Sequence, residues 1–367
     1  PEYIRSLNQK GIKFLGYNNC FLMRHGKMYK EAAQRGYLIK RKDGTVYNLN
    51  MFKNKPGMLD LTHPGCWKWI KEIIKDNMIG IGLSGWMCAY AEYLPVDCKI
   101  HSGEDPKIHH NKYPVLWANV NYEAVKEAEK LNGPDSIVFF NRSGNLGTTN
   151  YCPLIWAGDQ IAGFHKNDGL PSVICAGISM GFSGIGQFHS DIGGLFTIFW
   201  KTRKKEAFLR WTEMNCFTPV MRTHEGHDYE SYRNWKFDSD EETLQHFAKF
   251  SQIHSKLLPY TRQVLEEYQE KGLPAIRHPY IHYEQDKKLH QFQYQYLYGR
   301  DLFVAPVYKK GKAKWKCYLP KDEWVHLWTG KKYCGGTTKV DAPLGEPPVF
   351  YRDNSPNSRL FKAISEI

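Results

Sequence analysis

The feature that most constrains this chain is an alternation that runs through its first 260 residues or so. Short apolar runs of strand length recur at 11–17, 85–90, 136–141, 154–157, 186–190 and 218–223. Between them lie amphipathic stretches. Cys66 to Met78 sets Trp67, Ile70, Ile73, Ile74 and Met78 on one helical face, with Thr62 and Pro64 as start signals. Residues 113–131 and 197–211 read as helices, and 170–180 as helical or buried. Ser239 with Glu242 forms a capping box. It opens a helix with Leu244, Phe247, Phe250, Ile253 and Leu257 on one side. Strand–helix alternation of this kind predicts a parallel sheet covered by helices.

The six strands fall short of the eight that a closed (β/α) barrel needs. The expectation is therefore an α/β fold: a (β/α)8 TIM barrel lacking its first strands, which would lie upstream of Pro1. An open barrel of that kind leaves sheet edges unpaired. After about residue 273 the texture changes to short β-branched and aromatic runs between Gly, Pro and Lys-Gly turns. Examples are 301–305, 314–319 and 324–328. The expected division is a catalytic barrel at 1–272 and a C-terminal antiparallel β module of sandwich type at 273–367.

Composition narrows the function classes. The 367 residues are 42% hydrophobic and 14% aromatic, which points to a globular chain rather than a disordered one. The net charge is +12, but the lysines are dispersed. The densest clusters, 40–42, 201–205 and 309–316, are short and read as solvated surface. No zinc-finger spacing or RNA-binding consensus is present, so only the charge speaks for nucleic acid. The longest uncharged stretch, 169–189, holds five glycines and cannot read as a membrane span. No signal peptide is visible at the start. Nine cysteines without a C-x-x-C pair argue against a disulfide framework and weakly for a reducing, cytoplasmic setting. His101, His109 and His110 suggest a metal only by count, with no carboxylate or third His at ligand spacing, so no metal is expected.

In a barrel, chemistry gathers where strands end. The strand ends here carry Tyr90 and Glu92, Arg142, Asp159 and Gln160, then Asp191, Arg222, His224 and Glu225. Carboxylates, arginines and a histidine among aromatic residues suit a sugar. The flat ring faces pack on Trp or Tyr, and the hydroxyls bond charged groups.

Seven motifs in order carry a resemblance. They are Gly85-Trp86-Met87 with Glu92-Tyr93-Leu94-Pro95, the 139–144 run Phe-Phe-Asn-Arg-Ser-Gly, and Trp156-Ala157-Gly158-Asp159-Gln160. Then come the 189–194 run His-Ser-Asp-Ile-Gly-Gly and the 221–226 run Met-Arg-Thr-His-Glu-Gly. The β module adds the 299–306 run Gly-Arg-Asp-Leu-Phe-Val-Ala-Pro and the 347–352 run Pro-Pro-Val-Phe-Tyr-Arg. Over almost its whole length the chain resembles glycoside hydrolase family 31, most closely its bacterial α-sulfoquinovosidase branch, related to α-glucosidases.

The resemblance implies a retaining hydrolase of a small α-linked glucoside or sulfoquinovoside, with no cofactor. Two carboxyl groups about 5–5.5 Å apart perform the double displacement in such enzymes. The acid/base maps onto Asp159. Sugar-binding roles fall on Arg142, Trp156, Asp191 and His224, with Gln160 beside the acid and Glu92 as an ion-pair partner. The nucleophile position falls on Ala89, where the family has Asp. Alanine cannot form a glycosyl ester, so the chain as written is expected to be inactive. Engineered replacement, natural loss and sequence error are the three explanations. The rival reading is a carbohydrate-binding pseudoenzyme. Cys88 is one residue off and faces the other side of a strand, which makes it an inert thiol. The sulfoquinovosidase branch also has a Tyr after Ser-Asp-Ile-Gly-Gly that holds the sulfonate; here it is Leu195.

Overall fold

The computed structural model of the chain describes residues 1–51, 53–132, 137–197, 202–227 and 234–367. These residues form two compact units, Pro1–Trp156 and Ala157–Ile367.

In the first unit, four strands lie side by side and parallel: Leu15–Asn19, Gly85–Ala89, Val138–Asn141 and Leu154–Trp156. Gly85 sits opposite both Leu15 and Val138. Its φ is +154°, and a Cβ there would stand 1.7 Å from the Val138 carbonyl oxygen. Only glycine permits strands to approach this closely. The helix expected over 66–78 spans Pro64–Ile74 and runs on as a π-helical turn, Lys75–Ile79. Its cap is His63, not Thr62. The His63 imidazole accepts from the Gly65 N–H, and Pro64 takes the first-turn position where its missing N–H does no harm. The helix expected over 113–131 is longer, Pro106–Asn132. It packs against Pro64–Ile74, with Lys71 and Lys75 both 2.7 Å from the Glu127 carboxylate. The buried Trp86 indole donates to Asn121 at 2.9 Å and ties strand to helix.

In the second unit the helix Leu170–Phe182 precedes the strand Gln187–His189. The short parallel pair Asp191–Ile192 and Arg222–Thr223 follows it in the sequence. The strand expected over 218–223 is thus confined to its last two residues. Helices span Leu170–Phe182, Lys205–Cys216, Glu241–Lys256 and Leu258–Lys271. The helix expected at 197–211 starts later, and residues 198–201 lie outside the described residues. The capping box at Ser239 is corrected. Asp240 is the cap, accepting from the Thr243 N–H at 2.8 Å, while the Ser239 hydroxyl accepts from Lys236 N–H. On that helix Phe250 and Ile253 are buried but Leu244 is exposed. A six-stranded antiparallel sheet follows. Its order is Ile276–Arg277, Tyr296–Tyr298, Leu302–Val304, Val349–Arg352, Trp324–His326, Lys332–Tyr333. A separate hairpin pairs Lys314–Leu319 with Gly336–Asp341. A helix, Ser358–Ser365, ends the described chain.

Arg210 and Glu213 form a buried ion pair on the helix Lys205–Cys216. Arg210 also donates to the carbonyls of Lys312 and Ala342, and Glu213 accepts from the Gly345 N–H. All nine cysteines are free thiols. Among the described residues no helix is long and apolar enough to cross a membrane.

Candidate active site

In the first unit the strand Gly85–Ala89 delivers Ala89 at its C-terminal end, 1% exposed. The backbone then turns left-handed at two non-glycine residues, Tyr90 (φ +61°) and Ala91 (φ +85°). Such residues cost of order 1–3 kcal/mol each and gather at functional sites. The turn carries Glu92 back against Arg142, which leaves the end of the neighbouring strand. The two side chains form an ion pair. The Arg142 guanidinium lies 4.0 Å from the Tyr90 ring centroid, and the Ser143 hydroxyl donates to the Tyr90 carbonyl. Oε2 of Glu92 is buried with no hydrogen-bond partner among the described residues. Arg142, Glu92 and Tyr90 are therefore brought together beside Ala89. Cys88 is fully buried, and burial drives its thiol well above the ordinary range. Trp156 is also buried, at the end of the fourth strand.

In the second unit, Asp159 is itself left-handed, with φ +54°. Gln160 follows it. The Gln160 carbonyl accepts from the N–H groups of Leu195 and Phe196, and its side-chain Nε2 donates to the Ala157 carbonyl. These bonds link the loop holding Asp159 to the loop after Asp191. The Asp191 carboxylate is wholly buried and pairs with Arg222 at 2.9 Å. Gly193 and Gly194 turn left-handed just beyond. A Cβ on Gly193 would meet the Arg203 side chain at 2.4 Å, and one on Gly194 would meet the Ala162 backbone at 2.9 Å.

His224 accepts from the Gly226 N–H at its Nδ1, which places the proton of the neutral ring on Nε2. That nitrogen has no protein partner among the described residues. Burial lowers the His224 pKa; Asp191 opposes the shift, and Arg222 and Arg203 add to it. The ring is thus a neutral donor at pH 7. His189 is held still lower, at about 3, by burial and by the nearby Arg222.

One group escaped the sequence reading. Arg203 lies inside the 201–205 basic run that reads as solvated surface, yet it is 1% exposed and donates to the Gly194 carbonyl at 2.8 Å. Arg222 is a strand-end candidate in the sequence, and its pairing with Asp191 follows from the register of the two short strands.

A profile described as the glycosyl hydrolases family 31 TIM-barrel domain matches residues 1–264, and the family's C-terminal domain profile matches 272–355. The chain belongs to glycoside hydrolase family 31. Its fold is accordingly a TIM-barrel domain followed by a C-terminal domain with an antiparallel sheet. This family 31 chain is 44% identical to a sulfoquinovosidase of Escherichia coli over 99% of its length and 53% of that protein's. It is 43% identical to the sulfoquinovosidase of Agrobacterium fabrum over all of its length and 55% of that protein's. A solved family 31 sulfoquinovosidase from E. rectale, bound to an aza-sugar inhibitor, superposes with a TM-score of 0.96. It is 47% identical and covers 100% of this chain and 54% of its own. The family 31 chain therefore spans about half the length of the relatives it matches.

Proposed function

We propose that this chain carries the catalytic barrel of a retaining α-glycosidase for a small α-linked glucoside or sulfoquinovoside. Asp159 serves as its acid/base. As a carboxylic acid it protonates the glycosidic oxygen, and as a carboxylate it later takes a proton from water. The observation that carries the reading is the strained backbone of Asp159, a carboxylate held left-handed at a strand end in a family 31 barrel. His224 Nε2–H, Arg142 and Asp191 supply hydroxyl contacts. Trp156 supplies an apolar wall, and Gln160 and Glu92 hold the acid loop and Arg142 in place.

Position 89 belongs to the nucleophile in this scheme. A methyl group there gives the anomeric carbon nothing to bond to, and the first displacement has no acceptor for the glycosyl group. A second reading follows from that one residue: a protein that binds the glycoside without turning it over. The sulfoquinovosidase relatives favour a sulfonated sugar, whereas Leu195 removes a hydroxyl-bearing side chain from the place where the sulfonate would be held.

Comparing the protein with its Ala89→Asp variant on chromogenic α-glucoside and α-sulfoquinovoside tests both readings. The glycosidase reading expects turnover to rise by at least about 10³-fold. If the folded variant still binds sugar and hydrolyses neither substrate, the binding-protein reading stands instead.

A further inference from the structure

A second cluster of sugar-compatible groups lies in the unit Ala157–Ile367 and uses none of the residues assigned a catalytic or substrate role above. Tyr294 and Tyr308 stand 4.4 Å apart between ring centroids and are tilted 36° to each other. Trp315 meets Tyr308 edge-on at 4.9 Å. A cavity of about 320 Å³ opens beside the tyrosine pair, walled by Phe164 and Pro171 and edged by Lys166, Gln293 and Lys309. A smaller cavity of about 220 Å³ shares Gln293 and both tyrosines, and reaches Trp315 and Lys316. The larger volume is within the range of small-molecule sites.

The polar lining is one-sided. Neither cavity has a carboxylate in its wall. Lys166 and Lys309 form no ion pair among the described residues, and Lys309 hangs 5.8 Å over the Tyr308 ring. The side-chain amide of Gln293 makes no hydrogen bond among those residues, although its backbone carbonyl accepts from the Cys175 thiol. Its neighbour Gln295 spends both amide atoms on the backbone of Tyr318. Gln293 is thus an uncommitted donor–acceptor pair in a cavity wall that also holds both tyrosines and the two unpaired cations.

We infer that Tyr294, Tyr308, Gln293, Lys166 and Lys309 form a second saccharide site, specific for a sugar bearing an acidic group. The ring faces take the apolar C–H face of a pyranose. The amide pairs with adjacent hydroxyls, which need a donor and an acceptor side by side. The lysines take the anion. A nucleobase is the poorer fit, because the two rings pack on each other at 4.4 Å and leave no slot between them for a flat base. The inference does not depend on turnover at Asp159.

The test uses methyl α-glucuronide as probe, methyl α-glucoside as its neutral counterpart, and calorimetry on the intact chain. The double variant Lys166→Glu/Lys309→Glu alters exposed residues and leaves the tyrosines packed. It should weaken glucuronide binding at least about tenfold while leaving the melting temperature and glucoside binding unchanged. Gln293→Ala should weaken both sugars, and Arg142→Ala should leave this binding event intact. The inference fails if glucuronide binds the double variant as well as it binds the parent. It also fails if inorganic sulfate matches the glucuronide, which would make this a bare anion site, or if adenosine monophosphate outcompetes it.

Discussion

At the scale of single residues, position 91 departs furthest from what its backbone asks for. Ala91 is buried at φ +85°, a region that penalises any Cβ by about 1–2 kcal/mol. Ala91→Gly should therefore stabilise the chain by about 1 kcal/mol net of glycine's extra chain entropy, a rise of about 2 °C in Tm. An unchanged or lower Tm by calorimetry would show that the strain is compensated by packing. Position 195 offers a second test at this scale. If the scaffold with Asp at 89 turns over, adding Leu195→Tyr should shift its preference toward the sulfonated substrate, read as a ratio of kcat/KM values. Much of this detail was open to sequence reasoning. Asp159, Arg142, Asp191 and His224 can all be picked out because they follow apolar runs that end as strands. Arg203 cannot, because a charged residue in a basic run carries no mark of burial. The strain at 90 and 91 is equally silent, since alanine and tyrosine are ordinary residues in every other conformation.

At the scale of elements, the strand pair through Gly85 depends on the missing side chain. Gly85→Ala would drive a Cβ into the Val138 carbonyl and should cost at least about 3 kcal/mol, the upper end for overpacking. Urea unfolding at constant slope would measure it. A variant that keeps its parent's midpoint would mean that the strands can part without loss. The alternation of apolar runs and amphipathic stretches located most elements, and Lys314–Leu319 falls on its expected bounds. The misses have separate causes. Caps went to His63 and Asp240 because side-chain geometry, not residue preference, chooses among adjacent candidates. The helix Leu258–Lys271 was not expected. It buries only a short stripe at Tyr260, Thr261 and Val264, and Pro259 reads as a break after the preceding helix. The terminal helix Ser358–Ser365 sits in a region whose aromatic runs read as all β.

At the scale of the whole molecule, several histidines are locked neutral. Burial holds His189 at about 3, and His246 and His326 at about 4, against an ordinary value of 6.5. Unfolding lets each of them take up a proton, so the unfolded chain binds more protons between those values and 6.5. Stability is thus fully present above about pH 6.5 and falls as the pH drops toward 4. Tm should decline by about 5 °C or more between pH 7 and pH 5; a flat profile over that interval would mean that these rings can be protonated in place. The net charge of +12 adds self-repulsion in the same direction as more groups protonate.

The buried Arg210–Glu213 pair has a bearing on how such chains can be recombined. Its hydrogen bonds reach from a helix near residue 210 to backbone at 312, 342 and 345. Cutting after residue 272, or grafting on the C-terminal β region of a relative with a different loop, strips Arg210 of its carbonyl acceptors while leaving it in an apolar surround. Losing partners at a buried charge costs about 3–5 kcal/mol. Chimeras should therefore exchange the helix Lys205–Cys216 and the 312–345 loops as one inherited block, wherever the nominal domain seam is drawn.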